Sequence, residues 1–201
     1  MTIVTRTLER IETLDRVDQL AGTVQRWLHR VLPDQPRLTA PLGGSGIGHP
    51  LHPILVLAPI GAWLSASVLD RMPGHQAAAE RLVLTGLAAT APAVVTGALD
   101  YRELAGPQRR VGFVHLLTNL TATLCYTASY LSRRRGVTAA GQAWALLGLT
   151  AVGAGGTLGG HLTYALGTGV YRWQPERAGR PAGEPQPALE SSDNSRHPSR
   201  R

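Results

Sequence analysis

The distribution of charge constrains this chain more than any other feature. Of its 33 Asp, Glu and Arg residues, 21 lie in residues 1–37 and 172–201. The other 12 fall in three clusters, at 70–81, 100–110 and 133–135. Four uncharged windows remain, at 38–69, 82–99, 111–132 and 136–171. A soluble helix needs a polar face, and charged side chains usually supply much of it. Uncharged stretches of this length suit a hydrocarbon core about 30 Å thick, which about 20 helical residues cross. The pattern predicts an all-α, four-span transmembrane helix bundle, with spans at about 50–69, 82–99, 111–132 and 142–164. It excludes an ordinary soluble globular enzyme.

Residues 1–40 carry 11 charges of both signs. Leu8, Ile11, Leu14, Leu20, Val24, Trp27, Leu28 and Val31 recur mostly three and four apart, which predicts an amphipathic helix. Trp27, Arg26 and Arg30 suit a helix lying on a membrane surface, or one packed on a soluble partner or on the bundle's own loops. No uninterrupted apolar core follows the first basic residues, so the segment does not read as a secretory signal. Pro33, Pro36 and Pro41, then Gly43, Gly44, Gly46 and Gly48, predict a flexible joint. Pro59 and Gly61 predict a kink within span one. Gly155 with Gly159, and Gly156 with Gly160, predict one face of span four in close contact with another span. The resulting division is 1–40, an amphipathic cytoplasmic or interfacial region; 41–171, the transmembrane domain; and 172–201, a proline-rich tail expected to be disordered.

All 20 basic residues are Arg, and the net charge is +7. Arg-only usage with abundant Ala and Gly suits a GC-rich bacterial genome, and hence the inner (plasma) membrane. Nucleic-acid binding is not supported, because no basic run is interleaved with aromatics. With four spans, both termini share one side with Arg30, Arg37, Arg102, Arg109, Arg110, Arg172, Arg177 and Arg180, eight in all. The other side has five: Arg71, Arg81, Arg133, Arg134 and Arg135. The excess predicts cytoplasmic termini, and the Arg133–Arg135 triplet opposes it. Cys125 is the single cysteine, so neither an intrachain disulfide nor a CxxC metal pair exists. No HExxH, GxSxG or phosphate-cradling Gly-Lys motif is present.

Four of the seven histidines, His49, His52, His115 and His161, fall within about two turns of one predicted membrane face. Asp100 closes span two on that face. Ionisable groups at membrane depth are costly and commonly functional. Three imidazoles with a carboxylate suit a transition-metal ion, and two on facing helices suit a bis-histidine b-type haem. His49 and His52 are three apart and share a face if both are helical. The bland alternative is that these histidines cap and pack at the interface. Asn119, one turn after His115, is placed to hydrogen-bond to it. Thr118, Thr121 and Thr123 are expected to bond back to their own helix.

The run Gly-His-Pro-Leu-His-Pro at 48–53, Ala-Pro-Ile-Gly-Ala-Trp at 58–63 and Thr-Gly-Ala-Leu-Asp at 96–100 resembles a bacterial membrane family, domain of unknown function 2231. So do Arg-Arg-Val-Gly at 109–112 with His115, and Gly-Gly-His-Leu-Thr-Tyr at 159–164. The resemblance covers residues 8–171. It implies four spans. Some relatives carry a Rieske iron–sulfur domain after the last span, which implies electron transfer near the cytoplasmic face. Residues 172–201 hold no Cys-x-His pair for such a domain. Relatives often have an acidic residue in span one, where this chain reads Val56-Leu57-Ala58.

Two readings of function result. One is a redox-associated module in which His49, His52, His115 and His161 bind haem, or His52, His115, His161 and Asp100 bind a metal ion. Its partners would be the lipid bilayer and a Rieske-type or other redox protein. The other is a structural or partner-docking membrane protein with no cofactor.

Overall fold

A computed structural model describes residues 2–170, and the expected disordered tail at 172–201 lies outside the described residues. Among them there are helices and no strands. The helices are α1 (Ile3–Glu12), α2 (Asp15–Val31), α3 (Pro36–Gly43), α4 (His52–Leu55), α5 (Leu57–Leu69), α6 (Gln76–Arg102), α7 (Gly106–Arg134) and α8 (Thr138–Tyr164). The N-terminal region is thus three helices rather than one. The Pro/Gly joint is partly helical, because Pro36 opens α3 at a position where its missing N–H costs nothing. Gly44 ends α3 at φ +97, and a Cβ there would lie 1.8 Å from the His49 carbonyl oxygen.

Among the described residues three stretches are long and apolar enough to cross a membrane: His52–Leu69, Gln76–Arg102 and Thr138–Tyr164. The first is interrupted at Val56, between α4 and α5. The break lies just upstream of the Pro59–Gly61 segment expected to kink, because Pro59 has no N–H for the carbonyl one turn earlier. The fourth expected span, α7, is 29 residues long but is not among the apolar three. Most of its polar groups have partners within the protein, the buried Tyr126 hydroxyl being an exception. Thr121, Thr123 and Thr127 donate to the carbonyls of Leu117, Asn119 and Thr123 at 2.8–2.9 Å, and Thr118 donates to that of Val114. Tyr126, Ser129 and Arg133 are buried.

The bundle contains an internal repeat. α4–α5 with α6 forms one helical hairpin, and α7 with α8 forms the other. His52 and His115, Trp63 and Tyr126, and Asp70 and Arg133 are each 63 positions apart. Gly86 and Gly148, Ala93 and Gly155, and Gly97 and Gly159 are each 62 apart, because the second hairpin's loop is one residue shorter. Both loops turn on a left-handed glycine, Gly74 at φ +82 and Gly136 at φ +78.

Equivalent residues of the two hairpins meet each other, which only residues on a twofold axis do. The His52 and His115 rings lie 6.3 Å apart, edge to face at 83°. Trp63 and Tyr126 stack at 4.0 Å, 9° from parallel. Arg133 grips Asp70 through two bonds of 2.7 Å. These three layers make the axis of the bundle. The glycines of α6 and α8 seat the large side chains of α5 and α7. A Cβ at Gly86 would lie 2.2 Å from Trp63, and one at Gly148 would lie 2.8 Å from Tyr126. The close face of span four is Gly155 and Gly159, with open space at Gly156 and Gly160. Side chains of α7, not its backbone, occupy that closeness.

Candidate functional site

Of the predicted histidines, the structure brings two together. His52 is the first residue of α4 and reaches across to α6, with Nδ1 2.9 Å from the Ala93 carbonyl oxygen. A Cβ at Gly97 would lie 2.8 Å from its ring. His115 repeats this arrangement in the other hairpin. Its Nδ1 is 2.9 Å from the Gly155 carbonyl oxygen, and a Cβ at Gly159 would lie 3.1 Å from its ring. In each case the ring rests on a glycine and bonds the carbonyl four residues earlier. A carbonyl only accepts, so Nδ1 of each ring carries the proton and Nε2 carries the lone pair. Metal-binding histidines commonly have this polarity, with one N–H given to a backbone carbonyl and the other nitrogen left to ligate.

The other candidates do not join the pair. His161, near the end of α8, holds Glu12 of α1 at 2.7 Å through Nε2. Sequence spacing could not have paired residues 149 positions apart. His49 is exposed and lies outside α4, so it shares no helical face with His52. Asp100 is half-buried near the end of α6. With Glu103 it lines two surface cavities, of about 230 and 210 Å³, neither lined by His52 or His115. Among the described residues no three His, Cys, Asp or Glu side chains are grouped to hold a metal ion. A centre built from three histidines and Asp100 therefore does not fit. The two imidazoles that do meet are those of His52 and His115.

One neighbour of the pair has no counterpart in the other hairpin. Asn119 occupies the position equivalent to Val56. Its amide donates to His115 Nε2 at 3.1 Å and to the His115 carbonyl at 2.8 Å. A Cβ at Gly155 would lie 2.9 Å from Asn119, so the amide is also held by a glycine seat.

The N-terminal helices cover this end of the bundle. Leu8 and Ile11 of α1 pack on Val111, Leu158 and Leu162, next to the His115 seat. Val17, Ala21, Val24 and Leu28 of α2 pack on Tyr101, Leu104 and Phe113. Gln25 donates to the carbonyls of Arg102 and Leu104 at 2.9 and 2.8 Å, and Tyr101 donates to that of Ala21 at 3.1 Å. Asp18 faces Arg109 at 3.1 Å and Arg110 at 2.9 Å. The Arg109 hydrogen bond, with the charges of both arginines, holds the Asp18 carboxyl below the usual carboxylate range despite opposing desolvation.

No curated protein and no solved structure matches the chain. A family described as a predicted membrane protein matches residues 48–172, a stretch that holds both hairpins and every residue of the axis. That match covers more than half of the sequence, and the chain belongs to this family, DUF2231.

Proposed function

We propose that the chain is a redox-associated membrane module whose working centre is the His52–His115 pair. The pair would hold haem iron or one transition-metal ion at the end of the bundle that carries the N-terminal helices. The observation that carries this reading is the identical anchoring of the two rings across the axis, each with Nδ1–H fixed on a carbonyl and the lone pair on Nε2. A bound metal would supply one-electron chemistry. The chain's own part is to fix both tautomers and to exclude water by glycine-seated packing. The excess of arginine on the side of the N-terminal helices supports a cytoplasmic placement of that end. A Rieske-type or other redox protein is the partner class that this reading asks for.

The competing reading is structural, and Asn119 favours it. Its amide already meets the His115 lone pair, so both ring nitrogens are satisfied without a cofactor. A ligand would have to displace that donor while the amide keeps its bond to the His115 carbonyl. The test is the visible spectrum and elemental content of protein purified from its native membrane, for the unaltered chain and for His52→Ala, His115→Ala and His161→Ala. The proposal expects a bound metal or haem that both pair variants lose and His161→Ala keeps. A colourless, metal-free and folded unaltered protein refutes it, as does a cofactor that survives in both pair variants.

A further inference from the structure

The charges of the N-terminal helices are sorted by face. Residues 1–40 contain five acidic side chains, and four of them pair with cations of the bundle, Asp15 and Asp34 from exposed positions. Glu12 pairs with His161, Asp15 and Asp18 with Arg110, Asp18 also with Arg109, and Asp34 with Arg102. The same stretch contains six arginines: Arg6, Arg10, Arg16, Arg26, Arg30 and Arg37. Among the described residues none of the six is ion-paired, and Arg26 bonds only the neighbouring Thr23 hydroxyl. Pairing with the bundle thus takes up most of the negative charge and leaves the arginines of the outer face uncompensated.

The outer face is also apolar. On α2, Leu20, Trp27 and Val31 are 61%, 56% and 51% exposed. They sit at i, i+7 and i+11 and form one line along the helix. On one side of that line run the bundle contacts Val17, Val24 and Leu28. On the other side run Arg16, Thr23 and Arg30, each seven apart. Leu38 and Leu42 extend the exposed apolar surface onto α3, where Arg37 stands beside them. Bundle contact, apolar line and arginine line thus follow each other around α2. That is the order needed by a helix lying at the rim of a membrane bundle, with its apolar line toward acyl chains and its cations at headgroup level.

We propose that the outer face of α2 and α3 docks on anionic phospholipid headgroups, so that the N-terminal helices form an interfacial collar around the bundle. Charge complementarity and continuity with the membrane-spanning surface select lipid over a soluble partner. This inference does not depend on any cofactor at the histidines.

The test uses the full chain in nanodiscs of phosphatidylcholine, with and without added phosphatidylglycerol. The fluorescence of Trp27 is isolated as the difference between the unaltered protein and Trp27→Phe. A neutral quencher, acrylamide, avoids repulsion by the anionic surface. The expected result is a blue-shifted Trp27 emission and a loss of acrylamide quenching when phosphatidylglycerol is present. Replacing Arg16, Arg30 and Arg37 together with Gln should restore the quenching, with helical content checked by circular dichroism. Trp27 that is quenched alike in both membranes overturns the proposal and leaves the face to a protein partner. Shielding that persists in the Gln variant overturns the headgroup part of it.

Discussion

Replacing Asp70 with Asn probes the end of the axis farthest from the histidines. Arg133 and Asp70 are joined by two bonds of 2.7 Å, and their side chains are only 3% and 8% exposed. Besides Asp70, the Arg133 guanidinium bonds the Ser129 hydroxyl at 3.2 Å, and Ser129 is itself committed to the Gly141 carbonyl at 2.6 Å. Asp70→Asn therefore leaves a buried cation with no counter-charge. Breaking a buried pair in this way costs about 3–5 kcal/mol. The repeat adds a second step. Arg133 lies over Gly141, where a Cβ would come within 2.6 Å of it, and the equivalent position in the first hairpin is Ala79, fully buried. The charge swap Asp70→Arg with Arg133→Asp should recover only part of the loss, because the new arginine meets the Ala79 methyl. Adding Ala79→Gly should recover about 1–3 kcal/mol more by relieving that overpacking. Equilibrium unfolding in mixed detergent micelles reads all three variants. Asp70→Asn within about 1 kcal/mol of the unaltered protein, less than a third of the expected loss, would show that the pair does not join the hairpins. A swap that gains nothing from Ala79→Gly would refute the equivalence of the two halves.

Three further expectations concern packing, the N-terminal helices and topology. Leu at Gly155 or Gly159 should cost at least about 1–3 kcal/mol by overpacking against Asn119 and His115, while Leu at Gly156 or Gly160 should leave thermal stability unchanged. The Asp18 carboxyl is depressed in the folded chain, so its contribution to docking α2 is complete above the unfolded value of about 3.9 and is lost as pH falls through the folded one. Hydrogen exchange across α2 should therefore rise in acid, and Asp18→Asn should raise it already at neutral pH; exchange in Asp18→Asn that matches the unaltered protein at neutral pH would remove Asp18 from the dock. With Cys125 replaced by Ala, cysteine at position 75 should label from outside the cell and cysteine at 105 should not; the reverse inverts the proposed orientation.

The bundle was legible in the sequence because membrane burial leaves a gap in the charge pattern that no packing detail can hide. The polar character of α7 was less legible. His115, Ser129 and Arg133 look like obstacles to a span until their partners on α8 and at Asp70 are known. The repeat is faint in the sequence because, apart from the histidines and a few glycines, its halves keep physical roles rather than residue identities. Trp63 answers to Tyr126 and an acid answers to a base, while the spacing slips from 63 to 62 across the loops. Faint signals were present in Leu-Thr-Gly-Leu at 84–87 against Leu-Leu-Gly-Leu at 146–149, and in the turn glycines Gly74 and Gly136. At the candidate site, His52 and His115 were legible as partners because both enter from one face. Charge gaps fix the membrane depth of His161 but not its azimuth, so the sequence cannot separate it from the pair; its partner, Glu12, comes from α1 outside the bundle.

The histidine pair itself can be read by nitrogen NMR of imidazole-labelled protein purified from its native membrane, since the shifts of the two ring nitrogens report both protonation and coordination. The account predicts that His52 and His115 each show a protonated Nδ1 and a metal-shifted Nε2. Nε2 signals of ordinary neutral imidazole, with His115 coupled only to the Asn119 amide, would contradict it.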